Sequence, residues 1–182
     1  MEFDNLEALG LLFLVIIALA GAYFRSSTAR GARGERRVAT TLRRQLSDDQ
    51  YDLFHDITLD SSRGPTQIDH IVVSRYGVFV IETKNYSGWI FGDAASRHWT
   101  QVLYRKKYRF MNPLRQNYKH VEAVKSLLGL SDQFIFSVVV FVGKADFKTV
   151  LPDNVVYRHE LGGLIRSKND PVLSAAEVES IV

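Results

Sequence analysis

The sequence predicts a single α/β domain behind an apolar N-terminal segment. Its 182 residues suit one domain with a small appendage. Two dense strand patterns, QIDHIVVS (67–74) and GVFVIETK (77–84), stand only two residues apart. A helical pattern then separates them from a third strand, FIFSVVVFV (134–142), which permits a crossover connection. Hydrophobic residues at 46% and charged residues at 24% exclude a disordered or collagen-like chain. The chain has no cysteine. That excludes a disulfide scaffold, a thiolate zinc site, an iron–sulfur cluster and a cysteine nucleophile.

Charge is unevenly spread. Residues 1–24 carry Glu2, Asp4 and Glu7 and no base, leaving 23 bases against 17 acids in the rest. The stretch Ala8–Phe24 is uncharged, and counted from Leu6 the segment is 19 positions long, enough for a helix to cover a hydrocarbon core of about 30 Å. Tyr23 and Phe24 close it where an interfacial aromatic belt lies, and five arginines follow between Arg25 and Arg37. The expectation is a single transmembrane helix over 6–24, its N-terminus outside and the rest cytoplasmic. A cleaved signal peptide fits less well, because the leading residues are acidic. Residues 25–34 read as a basic juxtamembrane linker beside anionic lipid.

Downstream, Val38, Leu42 and Leu46 recur at helical spacing. Tyr51–Leu59 reads as a strand and Ser61–Pro65 as a loop. The pair 67–74 and 77–84 forms a hairpin around Arg75 and Tyr76, apolar on both faces and therefore central in a covered sheet. Shorter strands are expected at Gly88–Phe91, Trp99–Tyr104 and Tyr108–Phe110, with Lys106 and Lys107 near a turn. Asn112 and Pro113 open a helix that ends at Gly129, with Val121, Val124, Leu127 and Leu128 as its apolar stripe. Val155–Tyr157 reads as strand, and Ser174 with Glu177 forms a capping box for a terminal helix.

Asp69, Glu82 and Lys84 are charges inside otherwise apolar strands, where such residues are rarely buried without partners. A two-residue hairpin loop sets Ser74 opposite Gly77, and counting back sets Asp69 opposite Glu82. Lys84 then shares their face, and only a bulge breaks this parity. Two neighbouring carboxylates repel, and a divalent cation relieves the repulsion. Carboxylate oxygens with water and a backbone carbonyl suit Mg²⁺ or Mn²⁺. A lysine alongside can orient water or stabilise charge on a phosphate. The competing account is a structural ion-pair cluster.

Ile68-Asp69 followed by Glu82-Thr83-Lys84 resembles the PD-(D/E)xK nuclease signature, with Ile68 where that pattern has proline. GARGERRV (31–38), QIDHIVVS (67–74), GVFVIETKNYSG (77–88), Trp99 and NPLRQ (112–116) are, in this order, similar to the blocks of the nuclease-related domain, NERD. The resemblance covers about Arg30 to Val142. It implies a restriction-endonuclease-like mixed sheet flanked by helices, a nuclease-like domain over 35–145, and a C-terminal extension, 146–182, packing on it. It further implies Asp69 and Glu82 as metal ligands, the Thr83 carbonyl completing the shell, and Lys84 as the catalytic lysine. Glu35 and Gln116 match residues that contribute to such sites. Mg²⁺ or Mn²⁺ is the implied cofactor.

Other residues bear on the partner. Asn85 and Tyr86 sit past the strand end, where a substrate is within reach. Arg105, Lys106 and Lys107, interleaved with Tyr104 and Tyr108, form a strip that suits nucleic acid or, equally, a solvated edge hairpin. His70 reads as a core histidine, and Trp89 and Trp99 as core or edge packing. The expected function is a membrane-anchored, metal-dependent nuclease acting on DNA more than RNA. The alternative is a non-catalytic module binding nucleic acid or protein at the cytoplasmic membrane face.

Overall fold

A computed structural model describes residues 28–60 and 64–182. The transmembrane expectation for 6–24, the linker residues 25–27 and the loop residues 61–63 lie outside the described residues. Among those described, no helix is long and apolar enough to cross a membrane. The chain divides into Met1–Arg33, whose described residues 28–33 are helical, and one compact unit, Gly34–Val182.

In chain order the elements are α1 (residues 28–45), β1 (Asp52–Leu59), β2 (Thr66–Ser74), β3 (Gly77–Lys84), β4 (Gly88–Phe91), β5 (His98–Leu103), β6 (Lys106–Met111) and α2 (Pro113–Leu128). A single 3₁₀ turn leads to β7 (Ile135–Phe141), then β8 (Ala145–Phe147), β9 (Val155–Tyr157), α3 (Leu161–Arg166) and α4 (Ala175–Ile181).

Two sheets result. The larger runs β1-β2-β3-β7-β9, antiparallel as far as β3 and parallel beyond it. The smaller runs β6-β5-β4-β8. The fold is therefore mixed α/β, with two sheets and flanking helices. Ser74 pairs with Gly77, the register that the two-residue loop dictates, and β3 takes the centre of the larger sheet. Its first six residues are all buried, because helices cover both faces. Val38 and Leu42 of α1, with Leu161 and Ile165 of α3, pack on Val72, Phe79, Ile81 and Val140. Val124 of α2 and Val178 and Ile181 of α4 pack on Val78, Val80 and Ile135. Each such side chain contributes about 1.5–3 kcal/mol on full burial. A third core, around Trp99, Ile90 and Phe141, joins the smaller sheet to β7.

Residues 145–157 give one strand to each sheet, β8 beside β4 and β9 beside β7. Sequence reading had no signal for β8 or α3, which are three and six residues long. Two local corrections apply. The β5–β6 turn is Tyr104-Arg105, with Leu103 paired to Lys106, so Lys106 and Lys107 belong to β6. Leu127 is not in the apolar stripe of α2 but 64% exposed, while Asn117 and His120 are buried on that helix.

Candidate active site

The site lies where the C-terminal end of β3 meets α2. Glu82 and Lys84 are two residues apart on β3 and share a face, about 7 Å from one to the other along the strand. Gln116 and His120 are one helical turn apart on α2, about 6 Å along its axis. The two repeats match, and each helix residue meets one strand residue. Lys84 Nζ donates to Gln116 Oε1 at 2.9 Å and to Glu82 Oε1 at 2.5 Å. His120 Nε2 donates to Glu82 Oε2 at 3.1 Å, and Thr66 Oγ1 lies 2.9 Å from the other ring nitrogen. Glu82 is only 2% exposed. Burial pushes its carboxyl upward, but the His120 hydrogen bond and the Lys84 ammonium together outweigh that and hold it below the usual range.

Asp69 enters differently. The β2–β3 ladder runs from Ser74–Gly77 to His70–Ile81 and stops one residue short of an Asp69–Glu82 pair. On the other side the β1–β2 ladder skips Asp56–Asp69, where Asp56 has φ +56°. Side-chain alternation fails there: Ile68 joins the same core as Ile71 and Val73. The strict one-face parity expected for Asp69, Glu82 and Lys84 is thus broken at Asp69. Its carboxylate turns along the sheet and accepts the Thr83 backbone N–H at 2.7 Å. A residue in a strand points its N–H and C=O to the same side, so the Thr83 carbonyl also faces Asp69.

Burial, then the neighbouring Glu82 carboxylate, push the Asp69 carboxyl up to about 7 against the Thr83 hydrogen bond; Glu35 adds to the rise. Glu35 is itself raised, first by burial and then by Asp56 and Glu82. Glu35 therefore stands in the electrostatic field of the site. Gly34 permits this approach: a Cβ there would lie 2.9 Å from Asn85 Cβ and 3.4 Å from Thr83 Cγ2, so α1 can lie against the end of β3 only without a side chain.

The NPLRQ segment has a separate job for each polar residue. Asn112 caps α2 by accepting from Leu114 N, and its amide donates to the carbonyls of Asp93, Ala94 and Ser96. Arg115 donates to Ala95 O, and Gln116 faces Lys84. One residue on, the Asn117 amide bridges β3 and β7 through Val80 O, Ser137 Oγ and Val138 O. His120, Thr66 and Asn117 went unforeseen. The signal for His120 was its place four residues after Gln116, on the same helix face.

The residues expected to touch nucleic acid are spread out. Asn85 abuts Gly34. The Tyr86 ring packs 4.5 Å from that of Phe110 and 6.4 Å from Phe141. Arg105, Lys106 and Lys107 are exposed at the β5–β6 hairpin end. Trp99 is buried, as expected, whereas Trp89 is half exposed. His70 is a core histidine, its Nδ1 paired with His55 Nδ1 at 2.9 Å.

The donor set can be weighed against a metal. No group of three or more His, Asp or Glu side chains among the described residues is placed to hold an ion. Mg²⁺ does not require one: it is commonly held by one or two carboxylates, with water and substrate phosphate in the remaining positions. Asp69 and Glu82, with the Thr83 carbonyl turned toward Asp69, supply that much. The Thr83 hydroxyl is buried and has no hydrogen-bond partner among the described residues. Carboxylates crowded enough to push Asp69 upward also favour a cation.

The fold is a mixed α/β domain that brings two acids and a lysine together where two central strands adjoin. More particularly, the chain belongs to the nuclease-related domain family, whose model matches residues 30–142. It is also 40% identical over 157 residues to an uncharacterised protein of Bacillus anthracis, a match covering 84% of this chain and 73% of the relative.

Proposed function

We propose that the chain is a metal-dependent nuclease hydrolysing phosphodiester bonds, of DNA before RNA, and that residues 6–24 anchor it at the cytoplasmic face of a membrane. The observation that carries this reading is the convergence of Asp69, Glu82, Lys84 and Gln116 at the end of β3. Asp69, Glu82 and the Thr83 carbonyl would hold Mg²⁺ or Mn²⁺, which supplies polarisation of the phosphate and a lowered pKa for water. The chain's own residues do the rest. Gln116 and Glu82 fix the Lys84 ammonium, so that its charge is in place before the phosphate gains its own. His120 steadies Glu82 from the other side, and Thr66 steadies His120. The anchor rests on the uncharged run and its arginine flank; full-length chain should stay with membranes after alkaline washing, and chain lacking 6–24 should not.

The test is cleavage of end-labelled DNA by the full chain with Mg²⁺ or Mn²⁺ and with chelator. Cleavage that needs the cation and disappears in Asp69→Asn is the expected result. Intact substrate with wild type, or equal cleavage by the variant, defeats the reading.

A second reading has its own support: both Glu82 oxygens already have partners in Lys84 and His120. A cluster satisfied without an ion suits a domain that captures nucleic acid and leaves it uncut. Salt-sensitive DNA association that survives Glu82→Gln, with no cleavage under any cation, would select it.

A further inference from the structure

The smaller sheet has one packed face and one open face. Strand pairing defines the open one. Trp89 pairs with Val102 and Val102 with Lys107; Phe91 pairs with Thr100 and Thr100 with Arg109; His98 pairs with Met111. Directly paired residues share a face, as do residues two apart on a strand. Trp89, Phe91 and Met111 are 52%, 37% and 49% exposed there. Asp146 reaches the same face through its pairing with Trp89, but is ion-paired to Lys148 at 2.5 Å, and the Lys148 ammonium sits 5.2 Å from the centre of the Trp89 ring. At its far end the face runs into a cleft of about 610 Å³, because His98 and Met111 also line that cleft. Arg97, Arg115 and Lys119 line it as well, and among the described residues no carboxylate does.

We infer that this face, from Trp89 through Phe91 to the Arg97–Arg115–Lys119 cleft, is a binding track for single-stranded nucleic acid. Large exposed rings among cations suit bases and phosphates together. Duplex bases are stacked on one another and have no free face for Trp89 or Phe91, whereas a single strand has one at every base. An acidic peptide would meet the cations but leave the rings uncovered. The track takes its choice of partner from the nuclease reading, and it gives that reading a substrate class; its residues are not those of the Asp69–Lys84 site.

Binding is measured with the full chain and a fluorescent single-stranded oligonucleotide in chelator, so that nothing is cut. Trp99 is 1% exposed, so quenching of tryptophan fluorescence reports on Trp89. The expected results are quenching on binding, about ten-fold or greater weakening in Trp89→Ala/Phe91→Ala, and in Lys107→Glu/Arg109→Glu a salt slope lower by about 1.4. Unchanged melting of both variants excludes misfolding as the cause. Wild-type affinity in both variants overturns the track, even if the enzyme cuts DNA. Tighter binding of duplex, or of an acidic peptide, overturns it too. Loss of binding in the variants of a chain that cuts nothing keeps the track and removes the nuclease reading.

Discussion

The two sheets treat charge in opposite ways. In the larger sheet Glu82 and Lys84 sit in a strand covered on both faces, and each is held by a named partner on α2. In the smaller sheet Lys107 and Arg109 line a face left open, beside the exposed rings of Trp89 and Phe91. A buried charge is tolerated only with partners fixed in place, so its position is set to within a hydrogen bond; an exposed one is free to follow a ligand. The first arrangement suits chemistry and the second suits grip.

The sharpest challenge to this contrast is Lys84→Ala. It leaves the buried Glu82 carboxylate with one partner fewer, so cleavage should fall by at least about 10³-fold and stability by about 3 kcal/mol. Lys107→Ala should weaken binding of a strand long enough to reach the open face while leaving the urea midpoint unchanged. Equal losses in the two variants would erase the distinction. His120→Ala should reduce cleavage about 10–100-fold, since it loosens Glu82 without removing it, and His120→Gln should recover part of the loss. An activity ratio near one would make His120 a packing residue alone.

Acid acts on the larger sheet in two opposite directions. Burial lowers the His70 imidazole to about 3, and His55, hydrogen-bonded to it, is lowered as well. Unfolded histidine takes up its proton near about 6.5, so the folded pair is fully stabilising above that pH and loses ground as pH falls toward 3. Asp69 has the opposite sign: raised to about 7, it takes up a proton in the folded state first and gains stability as pH drops through that value. Urea midpoints from pH 7 to 4 should therefore fall more steeply in Asp69→Asn than in wild type. Parallel curves would mean that Asp69 does not titrate with folding. The smallest effect belongs to the smaller sheet. Tyr104, 94% exposed, has φ +56° at the first position of a two-residue turn, where glycine is preferred. Tyr104→Gly should raise stability by about 0.5 kcal/mol, read from the melting curve, and leave cleavage untouched.

Legibility in the sequence followed the same divide. Apolar strands with a fixed two-residue loop gave the β2–β3 register, and charges lodged in them pointed to Glu82, Lys84 and Asp69. Gln116 came through the NPLRQ resemblance. Failure of alternation at Asp69 was hidden, because it depends on Asp56 adopting a left-handed backbone in a neighbouring strand, a property of the assembled sheet. His120 was missed because a histidine on a helix looks the same whether it faces water or Glu82, and only its spacing from Gln116 tells the two apart. The half exposure of Trp89 was hidden because a strand as short as GWIF has too few residues for alternation to show which ring is covered.

The chain between Lys84 and Pro113 leaves the site and comes back to it, since Lys84 and Gln116 touch. Everything in that excursion is the small hairpin sheet, and what seats its return is one amide, Asn112, gripping the 93–96 loop. Such an excursion is a self-contained insert: its exposed turn at 104–105 can be lengthened or trimmed while the collar at 93–96 keeps the helix seated. Changes to that hairpin should thus leave the Asp69–Lys84 cluster as it is.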